Sequence, residues 1–122
     1  MKFVEIKLDK DSYMPGETIS GTARWQLEES VKSIELRLFY YTEGKGTDDV
    51  EIVETTQIPN PAMSGSQQFQ WQAPQSPFSF SGKLISLIWA VEAVLLPSGD
   101  AEHCVFTMSP NGQEIDIRQH QE

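Results

Sequence analysis

Residues 9–21 read D-K-D-S-Y-M-P-G-E-T-I-S-G, and this stretch decides how the first two strands of the chain connect. Pro15 presets the backbone φ angle at the second position of a tight turn, and Gly16 accepts the positive φ at the third. Before the turn, apolar residues alternate with charged ones, at Val4, Ile6 and Leu8. After it, small and apolar residues again occupy every second position, at Ile19, Gly21, Ala23 and Trp25. The pattern predicts two strands, each with one buried face, joined by this turn.

The rest of the chain repeats short apolar runs between turn signals, which predicts an all-β sandwich of about seven to nine strands. Residues 34–41 alternate clearly, and residues 43–49 then form a hairpin loop. Val50, Ile52 and Ile58 indicate a weaker return strand, because Glu54 and Thr56 share their parity. Residues 59–66 are predicted as a loop before a short strand, with its apolar positions at Phe69, Trp71 and Ala73.

The apolar run at residues 84–96 fits one face of a helix as well as a strand. We favour a strand, because apolar residues at every second position oppose a face that carries Ser86 and Glu92. The turn at residues 97–100 then leads into a final strand with Cys104, Phe106 and Met108 inward, and residues from about Gln119 are expected to fray.

The length and net charge of the chain limit its domain organisation and its possible partners. At 122 residues the chain is predicted to be one domain, residues 1–122, with a core at about 3–109 and a tail at 110–122. A net charge of -9 argues against nucleic-acid partners and anionic membranes. No signal peptide is evident, and residues 84–96 are too few for a membrane span. The single Cys104 allows no internal disulfide, so we expect a soluble protein of a reducing compartment, the cytoplasm.

Three blocks resemble the arrestin family. The stretch Tyr13-Met14-Pro15-Gly16 to Gly21 is similar to its Y-x-P-G-[DE]-x-[IV]-x-G motif, residues 31–36 to its third-strand pattern, and residues 77–82 to its P-x-S-F-x-G element. Their order and spacing match an arrestin N-terminal domain over most of residues 3–109. The resemblance implies an immunoglobulin-like β-sandwich acting as an adaptor or scaffold, without catalytic residues. We also expect no cofactor. Full arrestins carry two such sandwiches, and whether another chain supplies a second domain stays open.

The first strand lacks the paired basic residues that sense phosphorylated tails in some arrestins, so we do not carry over phosphate sensing. The sequence also gives little support for a metal-binding site or a catalytic nucleophile. His103 and Cys104 point to opposite faces of a strand, so they cannot form a nucleophile–base pair. Asp48, Asp49 and Glu51 lack the regular oxygen-ligand spacing of a calcium loop, and we interpret them as a solvated acidic loop.

Two functional classes remain. The favoured one is a non-enzymatic module that binds a protein or peptide partner, and the alternative is a carbohydrate-binding module in which Trp25, Trp71 and Trp89 stack on sugars. Their inward parity favours core packing of the three indoles. Phe39 and Tyr41 oppose the main core face of their strand, so they either pack under a loop or form an exposed aromatic patch.

Strand addition at a sheet edge is the predicted binding mode. Two segments without proline supply candidate edges, the first strand with Val4 and Ile6 and the final segment with Ile115 and Ile117. The alternative is that Lys2, Lys7 and Asp116 are ordinary edge protection and that the two termini cover each other. The sequence leaves the partner's identity and the oligomeric state open.

Overall fold

The computed structural model describes residues 3–44, 49–82 and 85–110, with the backbone alone at 115–116. These residues hold ten strands: β1 (Phe3–Leu8), β2 (Ser12–Tyr13), β3 (Thr18–Gln26), β4 (Ser33–Gly44), β5 (Val50–Pro59), β6 (Ser64–Gln72), β7 (Phe80–Ser81), β8 (Ile85–Leu96), β9 (Ala101–Met108) and β10 (Ile115–Asp116). Seven of them are six residues or longer, which confirms the predicted all-β class. No helix in the described ranges is long and apolar enough to cross a membrane.

Two sheets form the sandwich. The small sheet has the order β1-β3-β6, and both of its pairings are antiparallel. The large sheet has the order β10-β7-β8-β4-β5, and β9 pairs with β8 beside β7. β2 joins β9 in parallel, as β10 joins β7. The first strand thus lies in one sheet and the two-residue β2 that follows it in the other.

The turn between β2 and β3 has the predicted geometry. The Glu17 N–H donates to the Met14 carbonyl at 3.0 Å, and Gly16 has a φ of 81°. Proline and glycine therefore occupy the second and third positions of a type II turn. Further along β3, a Cβ at Gly21 would lie 2.4 Å from the Lys7 carbonyl oxygen, so the close approach of β1 requires glycine there.

The core lies between the inner faces of the two sheets. Ile19, Ala23 and Trp25 of β3 face it as predicted, and so do the alternate residues of β8 from Leu87 to Leu95. The strand interpretation of residues 85–96 is therefore confirmed, because both neighbouring strands pair with it through a regular register. Trp89 is fully buried, and its ring lies 4.9 Å from that of Tyr40.

Some predicted boundaries were wrong. Ser64 to Ser66 belong to β6 and not to a loop, because they pair with Gln26 to Arg24 of β3. β4 continues to Gly44, past the predicted start of its hairpin loop, because residues 42–44 pair with β8. Both extensions consist of polar residues and glycine, so the spacing of hydrophobic residues does not predict them. They form because their backbones pair with β3 and β8.

Candidate functional site

An apolar surface crosses the outer face of the large sheet. In one row, Ile52, Phe39, Ala90 and Val105 lie side by side on β5, β4, β8 and β9. In the next row, Tyr41 lies between Val50 and Ile88. We call these seven residues the apolar band. Three of them are exposed aliphatic side chains, with 63% of Val50, 48% of Ile52 and 52% of Val105 open to solvent.

A β-bulge brings β5 into the band. Leu38 of β4 pairs with Glu54, whereas the next residue, Phe39, pairs with Ile52, so Val53 is the extra residue of the bulge. The insertion reverses the side-chain parity of β5. Thr56 lies on the inner side, where it accepts a hydrogen bond from the Trp71 indole at 3.1 Å, while Ile52 turns outward. The mixed parity of β5 in the sequence has this cause.

Phe39 and Tyr41 are stacked on the outer face. Their ring centroids lie 5.9 Å apart with an interplanar angle of 24°. Phe39 is only 8% exposed, so its ring forms the buried floor of the band and is not an exposed aromatic residue. Burial raises the pKa of the Tyr41 hydroxyl, and the negative charge of Glu43 adds to the effect.

A charged row borders the band on one side. The Arg37 guanidinium bonds Glu35 on its own strand and Glu92 on β8, the latter at 3.2 Å. The hydrogen bond from Arg37 lowers the pKa of the Glu35 carboxyl, in opposition to partial desolvation, and a bond from Gln57 also lowers it. The same row ends on the exposed His103 of β9. Arg37 is thus neutralised within the sheet.

Comparison with known proteins shows the fold. No protein-family model matches the sequence, and no curated protein does. Among solved structures, Spo0M, a sporulation control protein from Bacillus subtilis, is similar with a TM-score of 0.67 and 20% sequence identity. The chain has the arrestin-type sandwich fold. The alignment covers 88% of this chain and 49% of Spo0M, so this arrestin-type sandwich spans about half the length of that protein.

The residues predicted to bind a partner at sheet edges lie on β1 and at β10. In this arrestin-type sandwich, Ile6 is buried in the core and Val4 packs against it, so their side chains face inward. β10 confirms the predicted short strand at Ile115, and Ile117 lies outside the described residues. Neither edge contributes to the apolar band.

The three tryptophans are core residues of the arrestin-type sandwich. Each indole N–H has a partner: Trp25 donates to the Ala62 carbonyl at 2.9 Å, Trp71 to Thr56, and Trp89 to the Pro77 carbonyl at 2.9 Å. Because all three are buried, they form no sugar-stacking platform on the surface. Core packing, the favoured interpretation, is confirmed.

Other candidate sites are dispersed over the sandwich. Cys104 pairs with Val91 and is partly buried, while the neighbouring His103 is exposed on the opposite face, as predicted. Asp48 lies outside the described residues, and the described ranges hold no group of three potential metal-ligating side chains.

The sequence pattern did not predict that Val50, Ile52 and Val105 belong to an exposed apolar surface. The pattern assigned Val50 and Ile52 only to a weak return strand, because a bulge cannot be recognised from local alternation. One signal was present: β8 is apolar on both faces from Leu87 to Val91, which is typical of a strand covered on both sides.

Proposed function

We propose that this chain is a non-enzymatic protein-interaction module, an adaptor or scaffold, that binds its partner through the apolar band. The observation that carries the proposal is the row Ile52–Phe39–Ala90–Val105, which crosses four strands and ends on an exposed aliphatic residue at each side. A contiguous apolar surface of this kind on a sheet face marks interaction sites.

The charges around the band indicate the chemistry of the partner. Glu43 and Asp49 are exposed at the end of the band near the β4–β5 connection. The arginine of the bordering row is already paired with two glutamates, and the whole chain carries a net charge of -9. We therefore propose a protein partner with an apolar contact surface surrounded by Lys and Arg, because such a rim is attracted to this face.

The arrestin-type fold supports the same class of function, since the family acts through binding. Cys104 is a free thiol, and we propose a reducing compartment, the cytoplasm, as the place of action. The carbohydrate alternative lacks a supporting observation once the indoles are in the core.

Affinity capture with matched variants tests the proposal. Ile52→Ser with Val105→Ser removes the two ends of the row, and Met14→Ser with Met63→Ser removes two comparably exposed apolar residues elsewhere. Proteins retained by the wild type and by the methionine variant, and lost with the band variant, are then purified and titrated. We expect their binding to weaken as salt is raised. An identical set of retained proteins on the band variant would contradict the proposal.

A further inference from the structure

The outer edge of β6 lacks the devices that protect the other sheet edges. Its nine residues read S-G-S-Q-Q-F-Q-W-Q, with neither a charged residue nor a proline, and its register with β3 is unbroken. Among the described strands, β6 pairs with β3 alone. Bare edges of this length readily accept another strand, and proteins normally protect them with charge, proline or a bulge.

The other long edges carry such protection. β5, the edge of the large sheet, has the bulge at Val53, two glutamates and a terminal Pro59. β1 carries Glu5 and Lys7 and lies beside β9, with a cavity of about 170 Å³ between them. Of the three long outer edges on β1, β5 and β6, that of β6 is the unprotected one.

The backbone direction of β6 follows from the hydrogen bonds at its two ends. The Ala73 N–H donates to the Glu17 carbonyl at 2.8 Å, and the Met63 carbonyl accepts from the Leu27 N–H at 2.7 Å. Odd-numbered residues of this segment thus direct their backbone groups towards β3. Because the direction alternates along a strand, the N–H and C=O groups of the even-numbered residues point to the free edge. These are Ser64, Ser66, Gln68, Gln70 and Gln72.

We propose that β6 pairs antiparallel with β6 of a second copy of this chain, about a two-fold axis at Gln68. In this register Ser64 faces Gln72, Ser66 faces Gln70, and Gln68 faces the same residue of the second copy. Every outward N–H and C=O of the strand then finds a partner, and the two small sheets join into one sheet of six strands. Such an interface is isologous and closed, so it forms dimers and not fibres.

The side chains suit a second copy of the same chain. The residues that meet across the axis on the outer face are serines and glutamines, which can exchange hydrogen bonds between strands. No like charges meet along β6 itself, although each copy carries a net charge of -9. Salt screens the long-range repulsion, so dimerisation should strengthen as salt is raised. This is the opposite of the salt dependence expected for the apolar band, and the proposal does not depend on that surface.

Sedimentation equilibrium from about 1 µM to about 1 mM tests the proposal, since this range covers weak protein association. The wild type should dimerise. Gln68→Pro removes an outward N–H without touching the ladder to β3, and should raise the Kd about tenfold or more. Gln68→Lys places two ammonium groups opposite each other and should raise it about fivefold. Thr22→Lys, the matched control on the neighbouring strand, should leave the Kd unchanged.

Charge complementation provides the decisive result, because only residue 68 meets itself across the axis. A mixture of Gln68→Lys and Gln68→Glu chains should form heterodimers more tightly than either variant forms homodimers. The thermal stability of each variant at low concentration checks that it folds. A monomeric wild type at every concentration, or a dimer that neither Gln68 substitution weakens, would overturn the proposal. A dimer weakened by Ile52→Ser instead would assign association to the apolar band.

Discussion

The indole N–H of Trp89 donates to the backbone carbonyl of Pro77 at 2.9 Å, which ties the centre of β8 to the segment before β7. The Trp89 ring also contacts two aromatic neighbours, with centroids 4.9 Å away at Tyr40 and 6.1 Å away at Phe106. These contacts join side chains of β4, β8 and β9 on the inner side of the large sheet.

Trp89→Ala should lower the free energy of unfolding by about 3–5 kcal/mol, because it leaves a large cavity in the core. Trp89→Phe keeps an aromatic ring but leaves the Pro77 carbonyl without this donor, and should cost about 1–2 kcal/mol. Urea denaturation measures both. A melting temperature of Trp89→Ala within a few degrees of wild type would refute the central position of this residue.

Gly16→Val should destabilise the fold by about 1 kcal/mol or more, because a β-branched residue strongly disfavours positive φ. Gly16→Asn should be milder, since asparagine tolerates this backbone conformation. The nearest atom to an added Cβ is the Gln75 amide nitrogen at 3.4 Å, so conformation and not crowding sets the difference. Equal losses in thermal denaturation for the two variants would show that the turn does not require positive φ.

The Glu35–Arg37 pair should contribute to acid sensitivity. The folded-state pKa of Glu35 is lowered, so its stabilising effect is complete above the unfolded value of about 4.3 and is lost as pH falls through the folded value. Glu35→Gln should therefore cost about 1 kcal/mol at pH 7 and show a flatter decline in stability below about pH 4. Chemical denaturation at several pH values measures this. Parallel pH curves for variant and wild type would contradict it.

Proline substitutions can test strand addition at the outer edge of β1, the edge that does not pair with β3. The Asp9 N–H donates to the Ser20 carbonyl at 3.0 Å, so by alternation Lys7 bonds β3 while Val4 and Ile6 direct their backbone groups away from it. Val4→Pro should therefore cost about 1 kcal/mol, whereas Lys7→Pro breaks the ladder and should cost about 1–3 kcal/mol more. If Val4→Pro folds but captures no partner, strand addition at β1 is supported. Undiminished capture would exclude this edge.

Residues with strong local chemistry were predictable. The Pro15-Gly16 turn, the glycine at position 21, the inward parity of β3 and β8 and the burial of all three tryptophans follow from side-chain period and backbone preference. Of the apolar band, the sequence pointed only to Phe39 and Tyr41 as a possible surface patch. Its exposed members on β5 depend on a bulge opposite Leu38 and Phe39, which no alternation within β5 reveals.

The sequence by itself determined that the chain is all-β and which faces of its strongest strands are buried, because the alternation of apolar residues depends on side chains alone. Only the tertiary structure decided which β5 side chains face outward, the full length of β6 and which strand edge is left unprotected. Those features depend on backbone hydrogen bonds between distant segments, and every residue except proline can donate such a bond. The polar residues at the start of β6 therefore do not predict a strand by their own pattern. They form one because their backbones pair with β3.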